Sequence, residues 1–165
     1  MIRPATEADL PAILAIYNDA VLNTTAIWNE TPVDLENRAT WFGERRAAGL
    51  PVLVVEDGGR VTGYGSFGDF RPFEGYRITV EHSLYVAADA RGRGFGAALL
   101  AALIDEARKR GKRAMVGGID ATNAPSLALH RKFGFAEVGR LPGVGEKFGR
   151  LLDLVLMQKT LTPPA

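Results

Sequence analysis

The strongest constraint on this chain is a glycine-rich turn at which the apolar pattern changes period. Ile78 to Val86 reads as a strand, and Leu99, Leu100, Leu103, Ile104 and Ala107 share one face of a helix that Gly111 stops. Between them stands Arg91-Gly92-Arg93-Gly94-Phe95-Gly96. A helix start offers unpaired N–H groups and the positive end of the dipole, so it attracts phosphate. Glycine lets the backbone approach a ligand and adopt positive φ. The spacing is G-x-G-x-G and no Gly-Lys-Ser/Thr follows, which excludes a dinucleotide fingerprint and a P-loop. Taken alone, the turn reads equally well as a tight strand-to-helix junction flanked by solvated arginines.

The surrounding segments alternate irregularly. Ile2 to Ala5 is a short strand, and Thr6-Glu7-Ala8-Asp9 is a capping-box pattern opening a helix with Leu10, Ile13, Leu14, Tyr17 and Val21 on one face. Asn23 to Thr31 is turn-rich. Asp34 is placed to cap a second helix carrying Leu35, Trp41 and Phe42, which Gly49 and Pro51 end. Val52 to Val55 is a buried-strand run, turned back by Asp57-Gly58-Gly59 into Val61 to Phe70. Arg71 to Tyr76 is a loop. Beyond the glycine turn and its helix, Ala114 to Ile119 is a strand and Asn123-Ala124-Pro125-Ser126 starts a helix ending near Gly134. Phe135 to Leu141 and Phe148 to Lys159 read as a closing strand pair. The expectation is one mixed α/β (α+β) domain over residues 1–160 with a short tail at 161–165.

Composition removes several function classes. With 20 basic and 19 acidic side chains the formal net charge is +1, which offers no broad cationic face for nucleic acid. Cysteine is absent, so disulfides, zinc–thiolate sites and a cysteine nucleophile are excluded. Two histidines without a dense carboxylate cluster give no ground for a metal. No apolar run approaches the ~18 residues that span a bilayer, and Met1-Ile2-Arg3-Pro4 does not open a signal peptide. A cytoplasmic location without a membrane partner is expected.

R-x-x-G-x-G at Arg91, Gly94 and Gly96 resembles the pyrophosphate loop of the GNAT acetyltransferases. Glu81-His82-Ser83-Leu84-Tyr85-Val86 looks like that family's splayed central strand, and Asn123 with Leu129 to Phe135 is similar to its downstream asparagine and aromatic Gly-Phe segment. The resemblance runs from Ile2-Arg3-Pro4-Ala5 to Leu156. It is nearest to the phosphinothricin and methionine sulfoximine acetyltransferases, through Tyr17-Asn18, Thr25 to Glu30, Arg71 to Gly75, Thr79 to Ser83, Val144-Gly145 and Lys147 to Arg150.

The resemblance implies a GNAT fold, a mostly antiparallel central sheet splayed at the strand ending near Val86 and flanked by helices. It implies acetyl-CoA as co-substrate, with no metal. Leu84, Tyr85 and Val86 would pair through the backbone with the pantetheine arm. Gly92, Gly94, Phe95, Gly96 and Ala97 would hold the pyrophosphate, with charge from Arg91 and Arg93, and Asn123 and Ser126 would lie near the thiol. Glu81 would be the base that frees the acceptor amine of its proton; an ion pair with Arg71 or Arg77 is the other use for it. His82 points to the opposite face of a regular strand and reads as structural. His130 stands where many GNAT enzymes have a tyrosine acid, and would protonate the departing thiolate; a packed or capping histidine is the plainer alternative. Arg71 and Arg77, flanking Phe73, Glu74, Gly75 and Tyr76, would hold an α-carboxylate, with Trp28, Asn29, Glu30, Lys147 and Phe148 completing the pocket. A homodimer is implied, with the neighbouring subunit bordering the acceptor site.

The expected activity is acetyl transfer to the α-amino group of a small amino-acid analogue, serving detoxification. Two rivals stand beside it. A GNAT enzyme for a protein or peptide amine would need an open groove, and a non-catalytic acyl-CoA-binding module would not need Glu81 or His130.

Overall fold

The computed structural model describes residues 1–161. One seven-stranded sheet organises the chain. Its elements in chain order are β1 (Ile2–Pro4), α1 (Leu10–Asn23), α2 (Leu35–Ala47), β2 (Val52–Asp57), β3 (Arg60–Asp69), β4 (Thr79–Val86), α3 (Phe95–Lys109), β5 (Ala114–Asp120), α4 (Ala124–Lys132), β6 (Ala136–Lys147) and β7 (Arg150–Thr160). The strands lie in the order β1-β2-β3-β4-β5-β7-β6. Every pairing is antiparallel except β4 with β5.

Both faces of the sheet are covered, so β2 and much of β3 are buried on both sides, with successive side chains packing into two separate cores. Leu53, Val55, Phe67, Val80, Met115 and Met157 pack with Leu99, Leu100 and Leu103 of α3. Val52, Val54 and Tyr64 point the other way, onto Leu10, Ile13 and Ile16 of α1 and Phe42 of α2. The same alternation runs along β4, where Leu84 and Val86 join the α3 side and Tyr85 the α1/α2 side.

Local signals account for most boundaries. Asp9 accepts from Thr6 N–H at 2.7 Å, and Asp34 Oδ1 accepts from Asn37 N–H at 2.9 Å. Helix α1 buries Ile13, Ile16, Ala20 and Val21, leaving Leu14 and Tyr17 half-buried, and Leu35 at the start of α2 is exposed. Three other departures have physical causes. Strand β6 continues past Leu141 to Lys147, because an edge strand tolerates proline and the register skips between Leu141 and Gly145. Strand β7 begins at Arg150 rather than Phe148, since Phe148 (φ 53) and Gly149 (φ 70) form the two-residue hairpin turn. Leu161, expected in the tail, is buried; its N–H donates to the Arg113 carbonyl and its own carbonyl accepts from Arg108 Nε. The rest of the expected tail, 162–165, lies outside the described residues.

The feature that positions the site is the short parallel pairing. Strands β4 and β5 are in register only at Thr79–Ala114, Val80–Met115 and Glu81–Val116. Past Glu81, β4 continues against β3 as far as Val86, while β5 continues against β7 as far as Asp120. The sheet forks there, at the strand for which the family resemblance implies a splay.

Candidate active site

The fork leaves one edge of β4 without a strand partner, and the glycine turn closes over its far end. Gly92 (φ 76) and Gly94 (φ 86) lie in the left-handed region open to glycine, and α3 starts at Phe95. A cavity of about 850 Å³ runs along this edge, within the range of small-molecule sites. It is lined by Leu84, Tyr85, Val86, Arg91, Gly92, Gly94, Phe95, Gly96, Ala97, Asn123 and Ser126. Arg93 is the one residue of the expected cofactor set that does not line it. It pairs with Asp57 at 2.7 Å and lies over the Phe95 ring. Arg91 donates to the Val86 carbonyl and pairs with Asp19 at 3.3 Å. Asn123 caps α4 by accepting from Ser126 N–H at 3.2 Å.

Deeper in the fork a second cavity of about 100 Å³ is lined by His82, Ser83, Gly117, Asp120, Asn123, Ser126 and His130 among others. Residues 24–26 wall the outer cavity, and Ala26 borders both. Asp120 is buried and accepts from Thr122 N–H at 2.9 Å and from the hydroxyls of Thr122 and Thr25. Burial alone would raise its pKa, but those hydrogen bonds outweigh it and hold the carboxyl below its ordinary value. Asp120 thus anchors Thr25, a link no sequence pattern announced.

On the α1/α2 face Glu81 reaches toward β5, where a Cβ on Gly118 would lie 3.4 Å from Glu81 Oε1. Glu81 keeps access to solvent, and the partial desolvation of its carboxyl by the neighbouring strands raises its pKa, with the Arg71 charge opposing the rise. Arg71 lies over the Phe70 ring, and Tyr76 meets Phe70 edge-on at 5.8 Å. Arg71 thus acts on Glu81 through its charge without a direct ion pair, and is itself exposed. Arg77 instead donates to the Glu74 carbonyl, while its own carbonyl is taken by Lys112. Phe73, Glu74, Gly75, Tyr76 and Arg77 are exposed and line neither cavity, so within one chain they do not enclose an acceptor.

Lys147 requires a correction. It was expected to meet the acceptor, yet it is 1% exposed and its ammonium donates to the carbonyls of Val21, Thr24 and Ile27. Three donors with three carbonyl partners leave none for a ligand. Trp28 donates to the Thr25 carbonyl, and its ring covers Gly145, where a Cβ would overlap it. Glu30 accepts from Phe148 N–H at 2.7 Å. Together these contacts bolt loop 24–30 onto the β6–β7 hairpin.

His82 and His130 meet across the fork, Nε2 to Nε2 at 3.0 Å. His130 Nδ1 lies 2.7 Å from the Ser126 carbonyl. Burial lowers the pKa of His130, with the Ser126 carbonyl opposing, and pushes His82 down to about 3, with His130 adding to the effect. An imidazolium acid at 130 is disfavoured by these surroundings.

The family model for the acetyltransferase (GNAT) family matches residues 13–135. Over 163 residues the chain is 60% identical to an L-methionine sulfoximine/L-methionine sulfone acetyltransferase of Pseudomonas aeruginosa, covering 98% of this chain and 95% of the relative. A phosphinothricin N-acetyltransferase of Alcaligenes faecalis is 41% identical over 161 residues, 97% of this chain and 82% of the relative. The structure of an acetyltransferase from Salmonella typhimurium with its cofactor acetyl-CoA superposes with a TM-score of 0.97 at 53% identity, covering 100% of this chain and 95% of that one. A ribosomal-protein-alanine N-acetyltransferase from Brucella melitensis superposes with a TM-score of 0.96 at 62% identity, covering 97% and 99% respectively.

Proposed function

The chain belongs to the GNAT acetyltransferase family, and from that premise we propose that it moves the acetyl group of acetyl-CoA to the α-amino group of a small amino-acid analogue of the methionine sulfoximine, methionine sulfone or phosphinothricin type. The observation that carries this reading is the fork itself. It sets an unpaired strand edge and a glycine-lined helix start on one side, and a solvent-accessible carboxylate, Glu81, at the base where β4 and β5 part.

The residues present fit acetyl-CoA as a substrate. The first-turn N–H groups of α3, with Arg91 beside them, suit a pyrophosphate. The open edge of Leu84 to Val86 suits an amide-bearing arm, and Asn123 and Ser126 border both cavities where the thioester would lie. Glu81, its pKa raised by partial desolvation, takes a proton from the acceptor ammonium directly or through water, since only the neutral amine has a lone pair to attack. The C–N bond forms as the C–S bond breaks, and backbone N–H groups of the open β4 edge stabilise the carbonyl oxygen while it carries charge. No covalent enzyme intermediate is needed. Arg71, whose charge acts on Glu81, supplies the guanidinium for the acceptor's α-carboxylate in this reading.

In the same reading residues 1–161 act as one catalytic domain, and the exposed 71–77 loop, with Phe73 at 71% exposure, is completed by a second copy in a homodimer. Neither nucleic acid nor a membrane surface enters the reaction. The enzyme works in the cytoplasm, where acetylation removes the charge of a toxic analogue's amine.

One comparison favours a second reading, a protein N-terminal alanine as acceptor. The test is transfer by the purified protein to L-methionine sulfoximine and, separately, to a peptide beginning with alanine, with products identified by mass and fragmentation. The proposal requires kcat/KM to favour the free analogue and the acetyl group to reside on its α-nitrogen. Preference for the peptide would overturn it.

A further inference from the structure

We infer that His82 is a positioning residue: by donating its Nε2–H to His130 Nε2 it holds His130 as a neutral ring whose one hydrogen, on Nδ1, is given to the Ser126 carbonyl, so that His130 fixes Ser126 rather than acting as a proton-giving acid.

The hydrogens of the pair can be counted from its contacts. A backbone carbonyl only accepts, so the 2.7 Å contact with Ser126 O requires the hydrogen on His130 Nδ1. The ring centroids are 5.0 Å apart and the planes 15° from parallel. With the two Nε2 atoms at 3.0 Å, that separation leaves little beyond the two ring radii. The rings therefore meet edge to edge, and one hydrogen lies between them. If it belongs to His82, both rings are neutral. If it belongs to His130, that ring is a buried cation and His82 Nδ1 must carry an N–H, yet this atom is buried without any partner. The second state adds a buried charge and an orphaned donor at once, so the first prevails.

Among the described residues none around the pair supplies a counter-charge. On β4, Glu81 lies on the opposite face, and Tyr85 and Ser83 share that face. On β5, Gly117 leaves room for the pair, since a Cβ there would be 3.0 Å from His82 Nε2 and 3.4 Å from His130 Nε2. Asp120, the carboxylate in the same cavity, is engaged by Thr25 and Thr122. Behind α4, Phe135 sets its ring edge-on to both imidazoles, at 5.7 and 5.1 Å. From α4, Ser126 offers the carbonyl and, at 3.5 Å from His130 Nδ1, its hydroxyl.

A neutral pair cannot give up a net proton without leaving an imidazolate. The thiolate left when the C–S bond breaks therefore takes its proton from water or from the amine's own proton passed through water. His130 instead orients Ser126 where both cavities meet. This kinetic consequence rests on the acetyl-transfer reading; the tautomer assignment does not.

The chain has only two histidines, so ¹⁵N-histidine labelling reads the pair directly. Across about pH 5 to 8, both rings should stay neutral, His130 protonated at Nδ1 and His82 at Nε2. His82→Leu removes the donor that keeps His130 Nε2 an acceptor, and the His130 pKa should then rise, bringing a histidine limb into the kcat–pH profile. His82→Gln restores an N–H donor and should remove that limb. Titration of His130 in the unaltered protein within the window, or a hydrogen on its Nε2, would overturn the assignment; so would identical profiles for the Leu and Gln variants. Intact ¹⁵N signatures with no acetyl transfer at all would sink the proposed reaction while leaving the pair as assigned.

Discussion

Lys147→Met tests whether the buried ammonium is the bolt that holds loop 24–30. Methionine keeps the unbranched apolar stem and removes all three donors. The carbonyls of Val21, Thr24 and Ile27 then lose partners, and a buried carbonyl left without one costs about 1–3 kcal/mol. Part of this is offset, because the variant no longer buries a charge, a cost that already pulls the Lys147 pKa down despite Glu30. Three such carbonyls sum to about 3–9 kcal/mol, and relief of the buried charge brings the net loss to about 3–5 kcal/mol. Typical domains have about 5–15 kcal/mol of stability, so this is a large share. At about 2–4 °C per kcal/mol for a domain of this size, Tm should fall by about 6–20 °C. Thermal and urea unfolding, with and without acetyl-CoA, measure both the loss and the slackening of the cavity wall at Thr24 to Ala26. Lys109→Met, at a 71% exposed side chain paired only with Glu106, is the control and should stay within about 0.5 kcal/mol of the parent. A Lys147→Met protein within about 1 kcal/mol of the parent and with unaltered acetyl-CoA affinity would refute the bolt.

The other expectations concern the fork. Glu81→Gln should lower kcat by about 10²- to 10⁴-fold. In the unaltered enzyme the rate should fall as pH drops through a Glu81 pKa lying above the ordinary carboxylate value; a limb at the ordinary value, or a fully active Gln variant, removes Glu81 from the mechanism. Arg71→Ala should move that limb further upward and raise the acceptor KM, because the guanidinium is what opposes the rise, whereas Arg77→Ala should not move the limb; the reverse pattern would exchange their roles. Gly94→Val forces a β-branched residue to φ 86, a strain of about 1–3 kcal/mol, and calorimetry should show acetyl-CoA binding weakened about tenfold or more; unchanged affinity would displace the phosphate cradle.

Much of this site was legible because its determinants are local. Gly92 and Gly94 occupy φ values that other residues avoid, so the turn announced itself, and period-2 alternation separated Glu81 from His82 correctly. What stayed hidden depends on partners far along the chain. Lys147 read as a pocket cation because a sequence does not show that its acceptors are backbone carbonyls some 120 residues earlier. The contact of His82 with His130 spans 48 positions and follows from where α4 docks, which no periodicity encodes. Pro142-Gly143 looked like the end of a strand, yet on the sheet edge the ladder skips them and resumes, with Gly143 N–H turned to Asp153.

The most direct test of acetyl transfer at this fork is free-thiol release from acetyl-CoA by the purified protein. The panel is L-methionine sulfoximine, L-methionine sulfone, phosphinothricin, common amino acids, a lysine peptide and an alanine-terminated peptide. Rapid turnover confined to the three analogues is the predicted result. Thiol release that is greatest with a peptide, or absent throughout while acetyl-CoA still binds, would contradict the account and point to a macromolecular acceptor or to a binding module.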